Sequence, residues 1–407
     1  MRVSTAFNRL LRIPRTSVTA VSIDEDGVEV TVCPRTRRLR CPCGLLTSTS
    51  YDRRRRRWRH LDLGTQRLWL VYEIHRIDCP DCGVTTEQVP WARPAARHTY
   101  DFENTLLWLA KRTDRTTVAS LLRCSWRTAT DIINRTVTAM LESLPAADAT
   151  RIGVDEICYR HPHKYLTVIG DHDTGTVIHI EPGRSSKSLT DFYARQTLSH
   201  RRKVTAVSMD AAPAWFATTR QWAPNARICI DPFHVIQWVN RALDRVFNDA
   251  NARRRELNLR SHHYRRLRGA LRAGHERLDD QRQALVADAT AADRDLATAW
   301  RLKEDLRDLY RLDWPTAEAA DHLDEWIDRA RTSNIAPMIN VANTIRARKP
   351  HILAAVELGI SNSLLEGINA KIRLINNRGY GHHSAEALSS MIYLCCGRID
   401  PKLLTRT

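Results

Sequence analysis

The sequence predicts an α/β fold, preceded by a cysteine-bearing β-rich segment and a small helical one. Three observations carry that prediction. Residues 151–182 hold three strand-like runs in succession, "RIGVDEICY", "KYLTVIGDH" and "GTVIHIEP", parted by turns such as Asp173-Thr174-Gly175. Residues 186–231 then alternate helix-like and strand-like stretches, the strands being "KVTAVSMD" and "ARICID". From Phe233 to about Arg348 the chain is helical in pattern, highly charged and free of strand signal.

Three antiparallel strands followed by alternating helices and strands is the element order of a ribonuclease H-like fold. The long helical stretch then reads as an insertion, and "SNSLLEGINAKIRLINNRGYG" from Ser361 returns the chain to a helix with Ser361 or Asn362 as candidate N-cap. The expected division is 1–100, 101–148, 149–234 joined by 350–395, and an insertion at 235–349.

Bulk properties agree with several domains. A chain of 407 residues is too long for one ordinary core. Hydrophobic residues at 43% with charged ones at 27% describe a globular protein rather than a disordered one. No run of about eighteen apolar residues occurs, so a membrane-spanning role is excluded. The opening "MRVSTAFNRLLRIPRTSVTA" has no continuous apolar stretch, so no secretory signal is expected and the cytoplasm is the expected compartment. Ten cysteines there point to metal or free thiols, not disulfides.

The net charge of +17 is unevenly spread. Residues 1–99 carry eighteen basic side chains against ten acids, and Arg241 to His275 carry ten Arg against three. Clusters of this kind are the footprint of a phosphate-rich partner, so nucleic acid is the expected one, and the helix-turn-helix pattern below narrows it to double-stranded DNA.

Residues 18–33 alternate apolar and polar side chains around an Asp-Gly turn, which predicts a hairpin. "CPCG" at 41–44 and "CPDCG" at 79–83 follow. Pro and Gly there shape tight turns that aim thiolates at one ion, so Cys41, Cys43, Cys79 and Cys82 are candidate ligands for structural zinc. The first knuckle is one residue short, and Cys33 or His75 are alternative ligands. Between the knuckles, Arg53, Arg54, Arg55, Arg56 and Arg57 with Trp58 offer phosphate contacts beside an aromatic face. Residues 101–143 have helical spacing with breaks near Thr113–Thr116 and at Cys124-Ser125. The last helix, capped by Ser125 and bearing Arg127 and Thr128, completes a helix-turn-helix pattern for DNA.

Acids stand out against this basic background. Asp155 lies within the first strand of the meander, Asp210 ends the fourth, and Glu366 sits on the late helix. Three carboxylates from separate elements converge only around divalent cations, and hard oxygen ligands suit Mg²⁺ or Mn²⁺. Glu156 points to the opposite face of its strand and is the weaker candidate. After the fifth strand, "DPFHV" spaces Asp231 and His234 as Asp-x-x-His. Asp231 can cap the next helix while His234 faces a scissile phosphate.

"VDE" at 154–156, "VSMD" at 207–210, "DPFHV" at 231–235 and "SLLEGINAKIRLI" at 363–375 resemble the hallmark blocks of DDE transposases of bacterial insertion sequences, the ISL3 family being the nearest group. The knuckles, "WRHLDL", "TTEQVPWARPAARHT" and the helix-turn-helix are similar to that family too, so the resemblance covers nearly the whole chain. It implies terminal inverted-repeat binding by the N-terminal region. It also implies metal-dependent strand cleavage and strand transfer with Asp155, Asp210 and Glu366 as the triad, in a homo-oligomer on nucleoid DNA. The stretch from Arg253 to Arg272, with Arg254 and Arg265, is expected to grip flanking or target DNA. A repressor derived from such an enzyme is the alternative.

Overall fold

The computed structural model describes residues 2–253, 261–312, 314–382 and 384–401. They form two compact units, Met1–Pro145 with Ile375–Thr407 and Ala146–Leu374.

The first unit opens with α1 (Val3–Leu11), and the expected hairpin follows as β1 (Thr16–Asp24) and β2 (Gly27–Pro34), paired antiparallel. Short strands β3 (Leu39–Arg40) and β4 (Leu46–Thr47) flank the first knuckle. The arginine run is a strand, β5 (Asp52–Arg59), antiparallel to β6 (Leu68–Cys79), and β7 (Gly83–Thr86) closes the second knuckle against β6. The sheet order is β1-β2-β6-β5. Val28, Val30, Val32, Leu68 and Leu70 form its core with Trp58 and Trp91.

Three helices follow, α2 (Tyr100–Ala110), α3 (Arg115–Leu121) and α4 (Trp126–Ser143), each begun by a side-chain cap. Thr99, Asp114 and Ser125 accept from backbone N–H groups of the first turns, satisfying donors that a helix start leaves unpaired. Fully buried Glu103 accepts hydrogen bonds from Arg93 and Arg135, both at 2.5 Å, which ties α2 to α4 by charge. The C-terminal helix Ala385–Cys396, most of which the expected division grouped with residues 149–234, packs against α4 in the first unit.

The second unit is built on β8 (Arg151–Arg160), β9 (Lys164–Asp171), β10 (Thr176–Pro182), β11 (Ala206–Met209) and β12 (Arg227–Ile230), ordered β10-β9-β8-β11-β12. The first three run antiparallel, and β8, β11 and β12 run parallel. Parallel neighbours need crossovers, supplied by α5 (Ser186–Ala194) with α6 (Leu198–Lys203) and by α7 (Pro213–Trp222). The expected helical stretch contains α8 (Pro232–Arg253), α9 (Ser261–Arg272), α10 (Asp280–Ala291), α11 (Arg294–Arg311), α12 (Thr316–Arg331) and α13 (Ala336–Leu358). One continuous apolar core joins these helices to the sheet, with Trp326 fully buried and donating from Nε1 to Leu302 O at 2.7 Å.

The last helix of this unit, α14 (Ser363–Arg378), lies close on the sheet for a specific reason. Gly153 on β8 and Gly170 on β9 are cross-strand partners. A Cβ at either would stand 2.6 Å or 2.9 Å from a Leu365 methyl, so the two glycines make the notch that seats α14.

Candidate functional site

Strand register brings three acids to one level. Along β8 and β11 the pairs run Ala206↔Arg151 to Ser208↔Gly153, and two residues further Asp210 stands beside Asp155. Along β11 and β12 they run Ala206↔Arg227 to Met209↔Ile230, and the next step sets Asp210 beside Asp231. Asp210 and Asp231 therefore follow the carboxyl ends of β11 and β12, where open α/β sheets place their sites, and Asp155 sits midway along the adjacent parallel strand β8.

Environment separates their roles. Burial pushes the Asp155 carboxyl up to about 6; the Glu156 N–H donated to Oδ1 at 2.8 Å opposes this, and the Asp210 charge reinforces it. Asp231 is 3% exposed and accepts the Asn362 N–H at 3.1 Å on Oδ1. His234, in the first turn of α8, lies between two of the acids, with Nδ1 3.2 Å from Asp231 Oδ2 and Nε2 2.9 Å from Asp210 Oδ1. Burial alone would lower its pKa; the flanking Asp210 and Asp231 carboxylates outweigh that and carry it up to about 10. The ring is thus a cation at neutral pH. Its approach to Asp210 is that of an ion pair, and Asp210 Oδ1 remains buried without an aligned hydrogen bond. Glu156 pairs with Arg184 at 3.7 Å instead.

Glu366 is exposed on the first turn of α14. Its neighbours on the same helical face anchor that turn. Asn369, three residues on, donates from Nδ2 to Asp155 Oδ2 at 2.7 Å. Asn362 accepts from Ser208 Oγ, which also meets His172 Nε2 at 2.7 Å. Among the described residues, Asp155, Asp210 and Glu366 are not a group whose ligand atoms all lie within 4.8 Å of one another. Sequence reasoning missed Asn369, Ser208 and His172. The available signal for Asn369 was its i, i+3 spacing from Glu366.

The four expected cysteines do converge. The sulfurs of Cys41, Cys43, Cys79 and Cys82 all lie within 4.8 Å of one another, with Cys43 and Cys79 3.7 Å apart. That separation is too long for a disulfide, whose sulfurs sit about 2.05 Å apart. It matches the edge of about 3.8 Å that a tetrahedron with metal–sulfur bonds of about 2.3 Å requires. The shortened knuckle closes because Gly44 N donates to Cys41 O at 2.9 Å and Cys41 N to Leu45 O at 2.8 Å. Cys33 and His75 are outside the group. The other cluster of potential ligands among the described residues, His275, Glu276 and Glu304, is threaded by Arg307, which pairs with both acids.

Strand alternation sorts the arginine run. Arg53, Arg55 and Arg57 turn to one face and meet acids, Glu73 at 3.6 Å and Glu29 at 2.7 and 3.9 Å. Arg54 and Arg56 turn to the other, where Arg56 donates to the Ala95 and Ala96 carbonyls and stacks over Trp58. There a cleft of about 620 Å³ is lined by Arg54, Arg56, Arg93 and Arg97, and Arg55 reaches its rim as well. Trp58 is 0% exposed and edge-on to Trp91, so the expectation that it meets DNA is corrected: the apolar core claims the ring. In α4, Arg127 is exposed and Thr128 half-buried. Arg265 is exposed on α9, while Arg254 lies outside the described residues.

A family model described as a transposase, of the DDE type in the ISL3 group, matches residues 152–392. This chain belongs to the ISL3 transposase family. The family's helix-turn-helix model matches residues 87–137, which include α2, α3 and the start of α4, so this transposase has a DNA-binding helix-turn-helix. The chain is 35% identical to the transposase for insertion sequence element IS1557 of Mycobacterium tuberculosis, over 99% of this chain and 98% of that protein. It is 25% identical to the transposase for insertion sequence element IS1001 of Bordetella parapertussis, over 84% of this chain and 85% of that one. No described helix is long and apolar enough to cross a membrane.

Proposed function

We propose that this transposase binds the terminal inverted repeats of its insertion sequence and cuts and joins DNA strands by the DDE mechanism. The observation that carries the reading is the strand register that levels Asp155 with Asp210, beneath a helix bearing Glu366 and tied to Asp155 by Asn369. The sheet order, three antiparallel strands then two parallel ones, supports a ribonuclease H-like catalytic domain interrupted by a helical insertion.

The donor set fits divalent cations. Asp155, Asp210 and Glu366 would hold Mg²⁺ or Mn²⁺, and all offer hard oxygen. Asn369 Oδ1, beside Asp155, is a buried oxygen without a hydrogen-bond partner, as expected of a group that awaits a cation. Two such ions would activate the attacking oxygen and stabilise the leaving one. His234 offers its N–H to a phosphate oxygen once Asp210 turns to a cation, and Asp231 holds the ring. The Cys41, Cys43, Cys79 and Cys82 thiols hold structural zinc. End recognition falls to Arg127 and Thr128 on α4, with phosphate contacts from the β5 arginines and from Arg265. Joining two ends calls for at least two copies on the DNA, in the bacterial cytoplasm at the nucleoid.

The test uses linear duplexes taken from DNA flanking the gene. The Asp210→Asn variant should bind them as the unaltered protein does and cut none. Full cleavage by that variant overturns the triad. Binding without cleavage by the unaltered protein identifies a repressor instead.

A further inference from the structure

The face of α8 that carries His234 does not end at His234. At about 100° per residue, Arg241, Gln237, Phe233 and Asn240 follow it in turn around the helix. These side chains, with Ile236 and Arg272, line a cleft of about 250 Å³. That volume is below the roughly 300 Å³ at which sites for drug-sized ligands begin, so the occupant is small.

The lining is unusual for a surface hollow. Phe233 is 55% exposed, and its ring centroid lies 5.6 Å from that of His234. Burying such a ring is favourable, so leaving it open asks for a partner that covers it. Asn240 has its Oδ1 buried without a hydrogen-bond partner. Its amide can rotate to present either a donor or an acceptor. Gln237 Oε1 accepts from Arg241 at 2.6 Å, which fixes the amide next to it. Arg272 is held by Asp244. An aromatic face, two amides and two guanidinium groups make a site for a flat, polar, nitrogen-bearing ring on a phosphate chain.

We infer that this cleft receives one nucleobase turned out of the duplex beside the cleaved phosphate, stacked on Phe233 and met at its edge by Gln237 and Asn240. The inference rests on the proposed cleavage of DNA ends. Because Phe233 adjoins His234, the base belongs to the nucleotide at, or next to, the phosphate that His234 faces. Turning a base out costs its stacking and pairing, and the cleft returns part of that cost at the moment when the strand must bend into the acids. Phe233 is a positioning residue here, because it touches the base and not the reacting atoms.

The test compares cleavage of two duplex ends, one fully paired and one mismatched at the nucleotide beside the cut. Phe233→Ala should slow cleavage of the paired end about ten- to hundredfold, the range that loss of one base stack gives. Phe233→Trp, which keeps a stacking face, should stay within a few-fold of the unaltered protein. The mismatch should bring the Phe233→Ala rate back to within a few-fold, since its base is already free. Equal losses on paired and mismatched ends, or none on either, overturn the inference while leaving the proposed function standing. An unaltered protein that cuts neither end overturns both.

Discussion

Asn369 donates a hydrogen bond from its side-chain amide to Asp155 Oδ2 at 2.7 Å, linking α14 to the central strand of the sheet. This contact sets the height of the turn that carries Glu366. A hydrogen bond to a charged group is worth about 1.5–3 kcal/mol. Asn369→Ala should therefore cost about ten- to hundredfold in cleavage rate and raise the Mn²⁺ concentration needed for half-maximal rate, with end binding unchanged. Cleavage at the usual rate and the usual Mn²⁺ requirement would sink this account of α14.

The same helix is seated by absence of side chains. Gly153→Ala places a methyl 2.6 Å from Leu365 Cδ1 and 3.0 Å from His172 Nε2, so α14 or β8 must shift. Overpacking of this kind costs about 1–3 kcal/mol. The variant should melt lower and cleave more slowly. Combining it with Leu365→Ala should cost less stability than the two changes added together, since one fills the space the other opens. Strict additivity in melting measurements would show that the notch does not seat the helix.

The sequence carried the strands and the acids because both follow short-range rules. Alternation marks β8 to β10, and a carboxylate ending an apolar run marks Asp210. The break before α4 is legible in Ser125, which caps as expected, and the break near Thr113–Thr116 proves to be capped by Asp114. Other features depend on distant partners. An unbroken run of arginines looks like a solvated loop until β6 pairs with it, and such charge is common on an edge strand, where it discourages pairing with other chains. Trp58 reads as an exposed platform within that run, yet its alternation with Arg57 aims it at Trp91. Asn369 is marked only by its i, i+3 spacing from Glu366, because its importance comes from a strand more than two hundred residues earlier.

The cysteine geometry predicts a folding dependence on metal. Four thiols gathered around one point repel as thiolates, so the knuckles need an ion to stay closed. The purified protein should carry about one zinc per chain, and Cys43→Ser should lose it and lower the melting temperature. End binding should weaken with it, because β5 and the knuckles share β6. Metal analysis finding no zinc, with melting unaffected by a strong chelator, would leave the cysteines as plain reduced thiols.

Strand alternation makes the sharpest forecast for DNA binding. Arg53 and Arg57 face Glu73 and Glu29. Arg54 and Arg97 line the cleft beside Arg56, and the nearby Asp52 is taken by Arg76. Each phosphate contact contributes about 0.9 to the slope of log affinity against log salt. Replacing Arg54 and Arg97 together by Ala should lower that slope by up to about 2 and weaken binding on any sequence. Replacing Arg53 and Arg57, which do not line that cleft and face carboxylates, removes the same formal charge but should change the slope much less. Equal effects from the two pairs would mean that net charge, not the orientation of the strand, governs the grip on the duplex.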